Sequence, residues 1–276
     1  MLATRFSHKS SRIHAAEGGS LSTAELMARV PSIFAEEAHQ SRSDRYAYIP
    51  TIELVKNLQS EGWSPTFAVQ AKTRDEDRMG HAKHMLRFRH ATARSLTEEV
   101  PEVILINSHD GSTSYQMLSG YFRFVCCNGL VIGQSAVEVR VPHRGNIIES
   151  VLEGASTMLT HFDRTAGQVD GMKAITLSTG EQRAFAAAAR SLRFENPELV
   201  EVDDVNRARR TADQGGDLWS TFNRVQENVV RGGVRVANPA KPRERRRSRE
   251  VAGIAENVKL NQALWTLAEE MARLKA

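Results

Sequence analysis

The periodicity of the apolar residues changes near residue 145, and this change constrains the fold more than any other feature of the sequence. Before it, segments such as 64–74 and 81–90 alternate apolar and polar residues with the period of two that is typical of a half-buried β-strand. After it, apolar residues recur every three or four positions, as on one face of an α-helix. Strands followed by helices predict an α+β fold, with an antiparallel β-sheet in the N-terminal half and a helical C-terminal half.

The chain has 276 residues, of which 41% are hydrophobic, enough for a sizeable core. We predict a basic, Ser-rich, disordered leader over 1–20. A single α+β domain over 21–276 follows, β-rich over 21–145 and helical over 146–276. No apolar run in the sequence approaches the ~20 residues that span a bilayer, and the leader lacks the apolar core of a signal peptide. The sequence therefore predicts a cytoplasmic protein with no membrane partner.

The two alternating segments 64–74 and 81–90 predict an antiparallel hairpin with a basic face. Phe67 and Val69 in the first segment, and Leu86 and Phe88 in the second, alternate with cationic or polar residues. If the two apolar faces coincide, the opposite face collects Lys72, Arg74, Lys83, Arg87 and Arg89. Like charges that face each other across strands are destabilising. This face is therefore either a solvated surface or a platform for the phosphates of a nucleic acid.

The strongest signal is a basic segment over 231–251. It carries eight Lys or Arg residues against two Glu residues, although the net charge of the whole chain is only +4. Its Gly and Pro residues predict a flexible loop. Arginines on a mobile backbone can neutralise phosphates and release counterions, which predicts nucleic-acid contact. The residues concerned are Arg243, Arg245, Arg246, Arg247 and Arg249; the alternative is a solvated linker.

Patterns for catalysis and cofactors are weak. His109 and Asp110 could form a general base oriented by a carboxylate, but Asp110-Gly111 is above all the signature of a turn. His84 and His90 lie too far apart on one strand face to share a metal ion easily. No phosphate-cradling glycine loop occurs in the sequence. We therefore predict a protein that is not an enzyme and has no metal or cofactor.

Several phrases, including RSDRYAYIPT, LINSHDGSTSYQMLSGYFRFVCCNGLVIG and DLWSTFNRVQENVVRGG, resemble the phage/plasmid-like proteins of the domain of unknown function 932 family. The resemblance spans residues 30–270 and implies a context of mobile elements without assigning a reaction. A helix ending in Gly62-Trp63, followed by a hairpin with a basic face, is also similar in layout to phage single-strand annealing proteins. Those proteins form rings and lay single strands along a basic groove. The two further strands before the long helix depart from that layout.

Together these features predict a non-catalytic DNA-binding protein of a mobile genetic element. We expect it to favour single-stranded DNA, to assist recombination or replication, and to form a homo-oligomer. One alternative is an interaction protein that counteracts a host defence such as restriction, with its basic patches on the acidic face of a partner. An uncharacterised enzyme is a further alternative. A salt-sensitive affinity for oligonucleotides separates DNA binding from the interaction protein.

Overall fold

The structure is a computed structural model that describes residues 12–16, 18–37, 39, 47–72, 80–93, 99–123, 129–131, 138–238, 240 and 245–276. At positions 99, 121–123, 129–131, 138 and 245 it describes the backbone alone. The chain divides into two compact units. Unit 1 comprises Met1–Ala93, Glu102–Met117 and Val139–Ser156, and unit 2 comprises Arg94–Pro101, Leu118–Glu138 and Thr157–Ala276.

An antiparallel sheet occupies the N-terminal half, as predicted. Its strands are β1 (Arg12–His14), β2 (Trp63–Gln70), β3 (His84–His90), β4 (Glu99–Asn107), β5 (Tyr115–Arg123), β6 (Gly129–Val131) and β7 (Glu138–Val141). The strands follow the order β1-β2-β3-β4-β5-β6, and β7 also pairs with β5. The predicted turn between β4 and β5 is confirmed, because the Ser112 N–H donates to the Asp110 carboxylate and Gly111 has a φ of 73°.

The remaining elements are mainly helices, which confirms the predicted α+β class. The α-helices are α1 (Thr23–Arg29), α2 (Thr51–Ser60), α3 (Ile147–Ala174), α4 (Thr179–Arg193), α5 (Val202–Val205), α6 (Leu218–Arg231) and α7 (Ile254–Lys275). Two short strands, β8 (Arg235–Ala237) and β9 (Arg245–Arg247), form a separate antiparallel pair. Among the described helices, none combines the length and apolar composition needed to cross a membrane.

The N-terminal strand β1 corrects part of the predicted leader. Residues 12–14, which the sequence assigns to a disordered leader over 1–20, pair antiparallel with β2, and Ile13 lies opposite Ala68. The Ala15 N–H then donates to the Thr66 carbonyl at 2.8 Å. The pairing satisfies backbone groups along one edge of β2, which is the physical reason for order here.

Unit 1 is held together by apolar side chains between α2 and the sheet. Leu54 and Leu58 of α2, and Leu86 and Phe88 of β3, are completely buried. Gly154 of α3 allows a close approach to β7 and β5. A Cβ at this position would lie 3.2 Å from Cγ1 of Val139 and 3.3 Å from the sulfur of Met117. The glycine therefore lets the helix backbone pack closely on the sheet.

Two buried histidines share the hydroxyl of Thr51, the first residue of α2. His84 Nδ1 lies 3.0 Å from the Ala82 carbonyl oxygen, so this nitrogen carries the proton and donates it. His84 Nε2 then accepts from the Thr51 hydroxyl at 2.9 Å. The Thr51 oxygen in turn accepts from His109 Nε2 at 3.0 Å and from Asn107 Nδ2 at 3.2 Å. This network ties α2, β3 and the end of β4 together.

Burial keeps both histidines neutral. Loss of solvent lowers the pKa of His84 from 6.5 to about 4. Burial, together with charge repulsion from His84, His143 and His81, lowers the pKa of His109 to about 2. Because His109 is 0% exposed, it cannot reach a substrate, and the sequence hypothesis of a catalytic base has no support in this geometry.

A buried carboxylate connects three strands of unit 1. Glu102 of β4 is 0% exposed and accepts from the Thr66 hydroxyl of β2 at 3.0 Å. On β3, Arg89 Nη2 donates to the same carboxylate at 2.8 Å and Arg87 Nε lies 3.2 Å away. The Arg87 guanidinium also lies over the ring of Phe67, 4.7 Å from its centroid. Arg87 is buried as well, so this cluster is part of the interior of the unit.

Unit 2 surrounds α6 with aromatic side chains. Trp219 and Phe222 of α6 are stacked with ring centroids 5.5 Å apart. Trp265 of α7 meets Phe222 edge-to-face at 6.1 Å, and Phe185 of α4 packs on Phe222 in the same way. Such pairs add about 0.5–1.5 kcal/mol each beyond the burial of their apolar area. The helix α6 is therefore the centre of this unit's core.

The neutral histidines predict a stability that falls with acid. An unfolded histidine binds a proton below pH ~6.5, whereas folded His84 does so only near pH 4, so the unfolded state gains protons first. The contribution of the neutral histidines to the free energy of unfolding is complete above pH ~6.5 and decreases as the pH falls. When the pH falls from 7.5 to 4.5, we expect the free energy of unfolding to decrease by roughly 3 kcal/mol for each of His84 and His109.

Urea unfolding at several pH values measures this effect. His84→Gln should have a shallower pH dependence than the wild type, whatever its stability at pH 7.5. His161→Gln, at a partly exposed position of α3, is the control and should keep the wild-type pH dependence. Equal pH dependences for wild type and His84→Gln would contradict the prediction.

The Glu102 cluster predicts an asymmetric cost of substitution. Glu102→Gln leaves the buried Arg87 without its carboxylate, so we expect a loss of about 3–5 kcal/mol in the free energy of unfolding. Arg89→Gln should cost only about 1 kcal/mol, because Glu102 keeps Arg87 and the Arg89 side chain is already 21% exposed. Urea unfolding of the two variants at pH 7.5 tests the order, and a larger cost for Arg89→Gln would refute it.

Candidate functional site

The hairpin of β2 and β3 has the predicted antiparallel pairing but a different register of faces. Trp63 and Pro65 lie opposite His90 and Phe88, as coinciding apolar faces require. A β-bulge between Pro65 and Phe67 then inserts one residue, so Phe67 comes opposite Arg87. Beyond the bulge, the apolar residues of β2 therefore share a face with the cations of β3.

This register corrects the expected row of five cations. The Ala71 N–H donates to the Lys83 carbonyl oxygen at 2.7 Å, so Lys83 continues the β3 strand. Counting by twos along that strand, Lys83 lies on the same face as Arg87 and Arg89. Lys72 is exposed and falls with Gln70, on the other side. Arg74 lies outside the described residues. Since Arg87 and Arg89 are paired with Glu102, the hairpin does not present the continuous cationic face that the sequence suggested.

The basic segment 231–251 contains a short hairpin where the sequence predicts a flexible loop. Strands β8 and β9 pair with Arg235 opposite Arg247. The Gly233 N–H donates to the Ser248 carbonyl, and the Ser248 N–H donates to the Val234 carbonyl, both at 2.8 Å. These bonds join the backbone of residues 233–234 to that of Ser248. Arg246, Arg247 and Arg249 are exposed, whereas Arg243 and the side chain of Arg245 lie outside the described residues.

Gly232 fixes the entry to this hairpin. It follows α6 with a φ of 73° and a ψ of −151°, a conformation that only glycine adopts readily. A Cβ here would lie 2.6 Å from the carbonyl carbon and oxygen of Arg249, closer than atoms can approach. The chain that carries the hairpin arginines is thus packed directly on the C-terminal end of α6.

A second group of arginines, Arg207, Arg209 and Arg210, lies next to this hairpin. The amide of Asn228 in α6 organises them. Its Nδ2 donates to the carbonyls of Val205 and Arg207, both at 2.8 Å, and its Oδ1 accepts from Arg209 Nε at 2.6 Å. Arg210 is paired differently, because its guanidinium contacts the buried carboxylate of Glu227 at 2.9 Å. Helix α6 therefore positions both the backbone and one side chain of the arginine segment.

These elements line a half-open cavity of about 450 Å³ within unit 2. We call it the arginine cavity; its lining residues are Asp204, Arg207, Arg209, Asn228, Gly233, Val234, Arg235 and Arg247. Its volume falls within the ~300–1,000 Å³ range of small-molecule sites. Among the described residues of its lining, four side chains are cationic and one is anionic, so this lining favours an anion.

Asp204 neutralises only part of this charge. Its buried carboxylate accepts two bonds from Arg235, at 2.7 and 2.6 Å, and one from Arg207 at 2.7 Å. Arg209 and Arg247 form no ion pair with any carboxylate in the described part of the chain. Burial lowers the pKa of Arg209, and repulsion from Arg231, Arg247 and Arg210 lowers it further, against the attraction of Glu227. The charge of the cavity is therefore not balanced from within.

The chemistry of the arginine cavity is that of anion recognition. Guanidinium groups offer planar N–H donors that match carboxylate and phosphate oxygens. Within the described residues, no three His, Cys, Asp or Glu side chains are grouped so that they could hold a metal ion. Of the predicted residues that the structure describes, only Arg247 lines the cavity. The sequence analysis missed Arg207 and Arg209, although the run Arg207-Ala208-Arg209-Arg210 was a visible signal.

Comparisons with known proteins agree with the resemblance seen in the sequence. Residues 38–265 match the family described as "Domain of unknown function (DUF932)". The chain is 47% identical over 252 residues to the UPF0380 protein YafZ of Escherichia coli (strain K12), covering 91% of each chain. The UPF0380 protein YfjQ of the same organism is similar at the same identity and coverage. No solved structure matches. The chain therefore belongs to the DUF932 family.

Proposed function

We propose that this chain is a non-catalytic DNA-binding protein of a mobile genetic element, and that it holds strand phosphates in the arginine cavity. The observation that carries the proposal is the unbalanced charge of the cavity, whose described lining has four arginines and one aspartate. Arg209 and Arg247 have guanidinium donors to spare, and a phosphate supplies the acceptors that they lack. The exposed Arg246 and Arg249 extend the positive charge beyond the cavity.

Single-stranded DNA suits this site better than a duplex. A duplex is stiff over ~150 base pairs and presents its phosphates on a convex surface. A single strand is flexible enough to turn one phosphate into a concave cavity. The contribution of the β2–β3 hairpin is smaller in this proposal than the sequence suggests, because Glu102 already neutralises Arg87 and Arg89 in part.

The cavity predicts a salt-dependent affinity that depends on two arginines. Arg209→Gln combined with Arg247→Gln should weaken binding of a single-stranded 20-mer at least about tenfold near 100 mM salt, since charged hydrogen bonds are worth ~1.5–3 kcal/mol each. The slope of log K against log salt should fall by about 1.4, because each lost contact to a single strand releases ~0.7 counterion fewer. Fluorescence anisotropy across a salt series measures both quantities.

Arg273→Gln provides the matched control. This arginine lies on α7 outside the cavity lining, its side chain is 74% exposed, and it pairs with Glu270 at 3.0 Å. The substitution removes one positive charge, as each cavity substitution does. Because Arg273 lies outside the cavity lining, its loss should leave the slope nearly unchanged. Equal effects at the cavity and at Arg273 would refute a specific site. Binding to an acidic protein partner but to no oligonucleotide would favour the anti-restriction alternative.

A further inference from the structure

We infer that the arginine cavity binds the phosphorylated end of a DNA strand, a phosphate monoester, more tightly than the phosphodiesters along the strand. This inference rests on the proposed function and gives its site a more specific ligand. Four observations support it: the meeting of two guanidiniums, their spare donors, the excess charge and the shape of the cavity.

Two guanidinium groups meet at Gly233. Arg247 Nη1 donates to the Gly233 carbonyl oxygen at 2.9 Å. On the same residue, a Cβ would lie only 3.3 Å from Arg209 Nη2. Both guanidinium groups therefore lie next to the backbone of Gly233, and this glycine has no side chain that could occupy the space near them. This arrangement allows one group with several oxygens to contact both arginines.

Most of the donors of these two arginines remain available. A guanidinium has five N–H donors. Arg209 uses two of them, on Asn228 Oδ1 and on the Gly232 carbonyl, and Arg247 uses one. The others have no partner among the residues that the structure describes. Because Asn228 fixes Arg209 through its Nε, the outer edge of that guanidinium is already oriented before a ligand arrives.

The excess charge fits a monoester better than a diester. Among the residues that the structure describes, four arginines and one aspartate give the lining a surplus of three positive charges. An internal phosphodiester brings one negative charge and two free oxygens. A phosphate monoester brings about −1.5 to −2 charges at pH 7 and three oxygens that accept hydrogen bonds. The terminal group therefore neutralises more of the surplus and can satisfy more of the free donors.

The shape of the site points in the same direction. A cavity of about 450 Å³ can hold a phosphate together with part of one nucleotide. A terminal phosphate has a single covalent connection, so it enters such a cavity with one strand leaving through the opening. An internal phosphate has to bring both neighbouring nucleotides to the same opening, which crowds it.

The test compares three oligonucleotides of one sequence: one with a 5′-phosphate, one with a 3′-phosphate and one with neither. Fluorescence anisotropy with the full-length protein near 100 mM salt should show at least about tenfold tighter binding of a phosphorylated end, from one additional charge-assisted hydrogen bond or more. The two phosphorylated arms identify which end is bound. Inorganic phosphate should compete with the end-specific part of the binding.

Two lysine variants separate the end site from general attraction. Arg209→Lys and Arg247→Lys each keep the positive charge but remove the planar fork that can hold two oxygens at once. Because both arginines also contact strand phosphates in the proposed function, each variant should bind the unphosphorylated oligonucleotide more weakly than the wild type. The preference for the phosphorylated end, which is the ratio of the two affinities, should in addition fall several-fold. The control Arg273→Lys should keep the full preference. Circular dichroism verifies that each variant is folded.

The possible results distinguish this inference from the proposed function. Equal wild-type binding of all three oligonucleotides would overturn the end preference and leave DNA binding intact. A preference that survives both lysine variants would overturn its assignment to the arginine cavity. No binding of any oligonucleotide would overturn the proposed function and this inference together. A preference lost in both variants and kept in Arg273→Lys would establish the end site.

Discussion

The burial of α6 is the constraint on which unit 2 depends. Nearly every residue of this helix is buried, including Arg224, Glu227 and Asn228. Buried polar groups are costly unless they are hydrogen-bonded, so these three side chains need partners inside the protein. Arg224 donates to the carbonyls of Asp213 and Gly215 at 3.0 and 2.7 Å, and its burial lowers its pKa. The requirement of the helix for partners thus determines the path of segment 205–215, which carries the arginines of the cavity.

Two groups of arginines among the described residues, one on β3 and one in the arginine cavity, differ in how their charge is balanced. On β3, Arg87 and Arg89 share the buried Glu102, so their charge contributes to folding. In the arginine cavity, Asp204 pairs with Arg235 and Arg207, and Arg209 remains outside that pair. Ion pairs inside a protein contribute to stability only when the geometry compensates for lost hydration. The uncompensated group is therefore the one that suits a charged ligand.

Much of the fold could be predicted from the sequence, because periodicity within one segment is a local property. The turn at Gly111 and the long helices follow from neighbouring residues. The register of β2 against β3 could not be predicted in this way. Pairing depends on two segments at once, and one bulge after Pro65 exchanges the faces that had been assumed to coincide. The cationic platform that the sequence suggested depended on that assumption.

The candidate site was less predictable for a related reason. Its residues come from segments about thirty or forty positions apart, 204–209 and 233–247, and only the burial of α6 brings them together. The run of arginines at 207–210 was visible in the sequence, but the sequence does not tell which member is neutralised. Glu227 pairs with Arg210, whereas Asn228 holds Arg209 through a neutral amide. A neutral partner fixes the guanidinium without cancelling its charge.

Because the charge of Arg209 is not cancelled, the arginine cavity favours an anionic ligand over a cationic one. Burial lowers the pKa of Arg209, and repulsion from the nearby Arg231, Arg247 and Arg210 lowers it further, against the attraction of Glu227. The folded protein therefore carries an electrostatic cost at this position that an anion reduces and a cation increases. Because an anion held here binds the folded state and not the unfolded one, its binding free energy is added to the stability of unit 2. Two uncharged residues also contribute to the site. Gly232 lets the hairpin pack on α6, and Asn228 holds the backbone of the arginine segment, so together they keep like charges close to each other in the absence of a ligand.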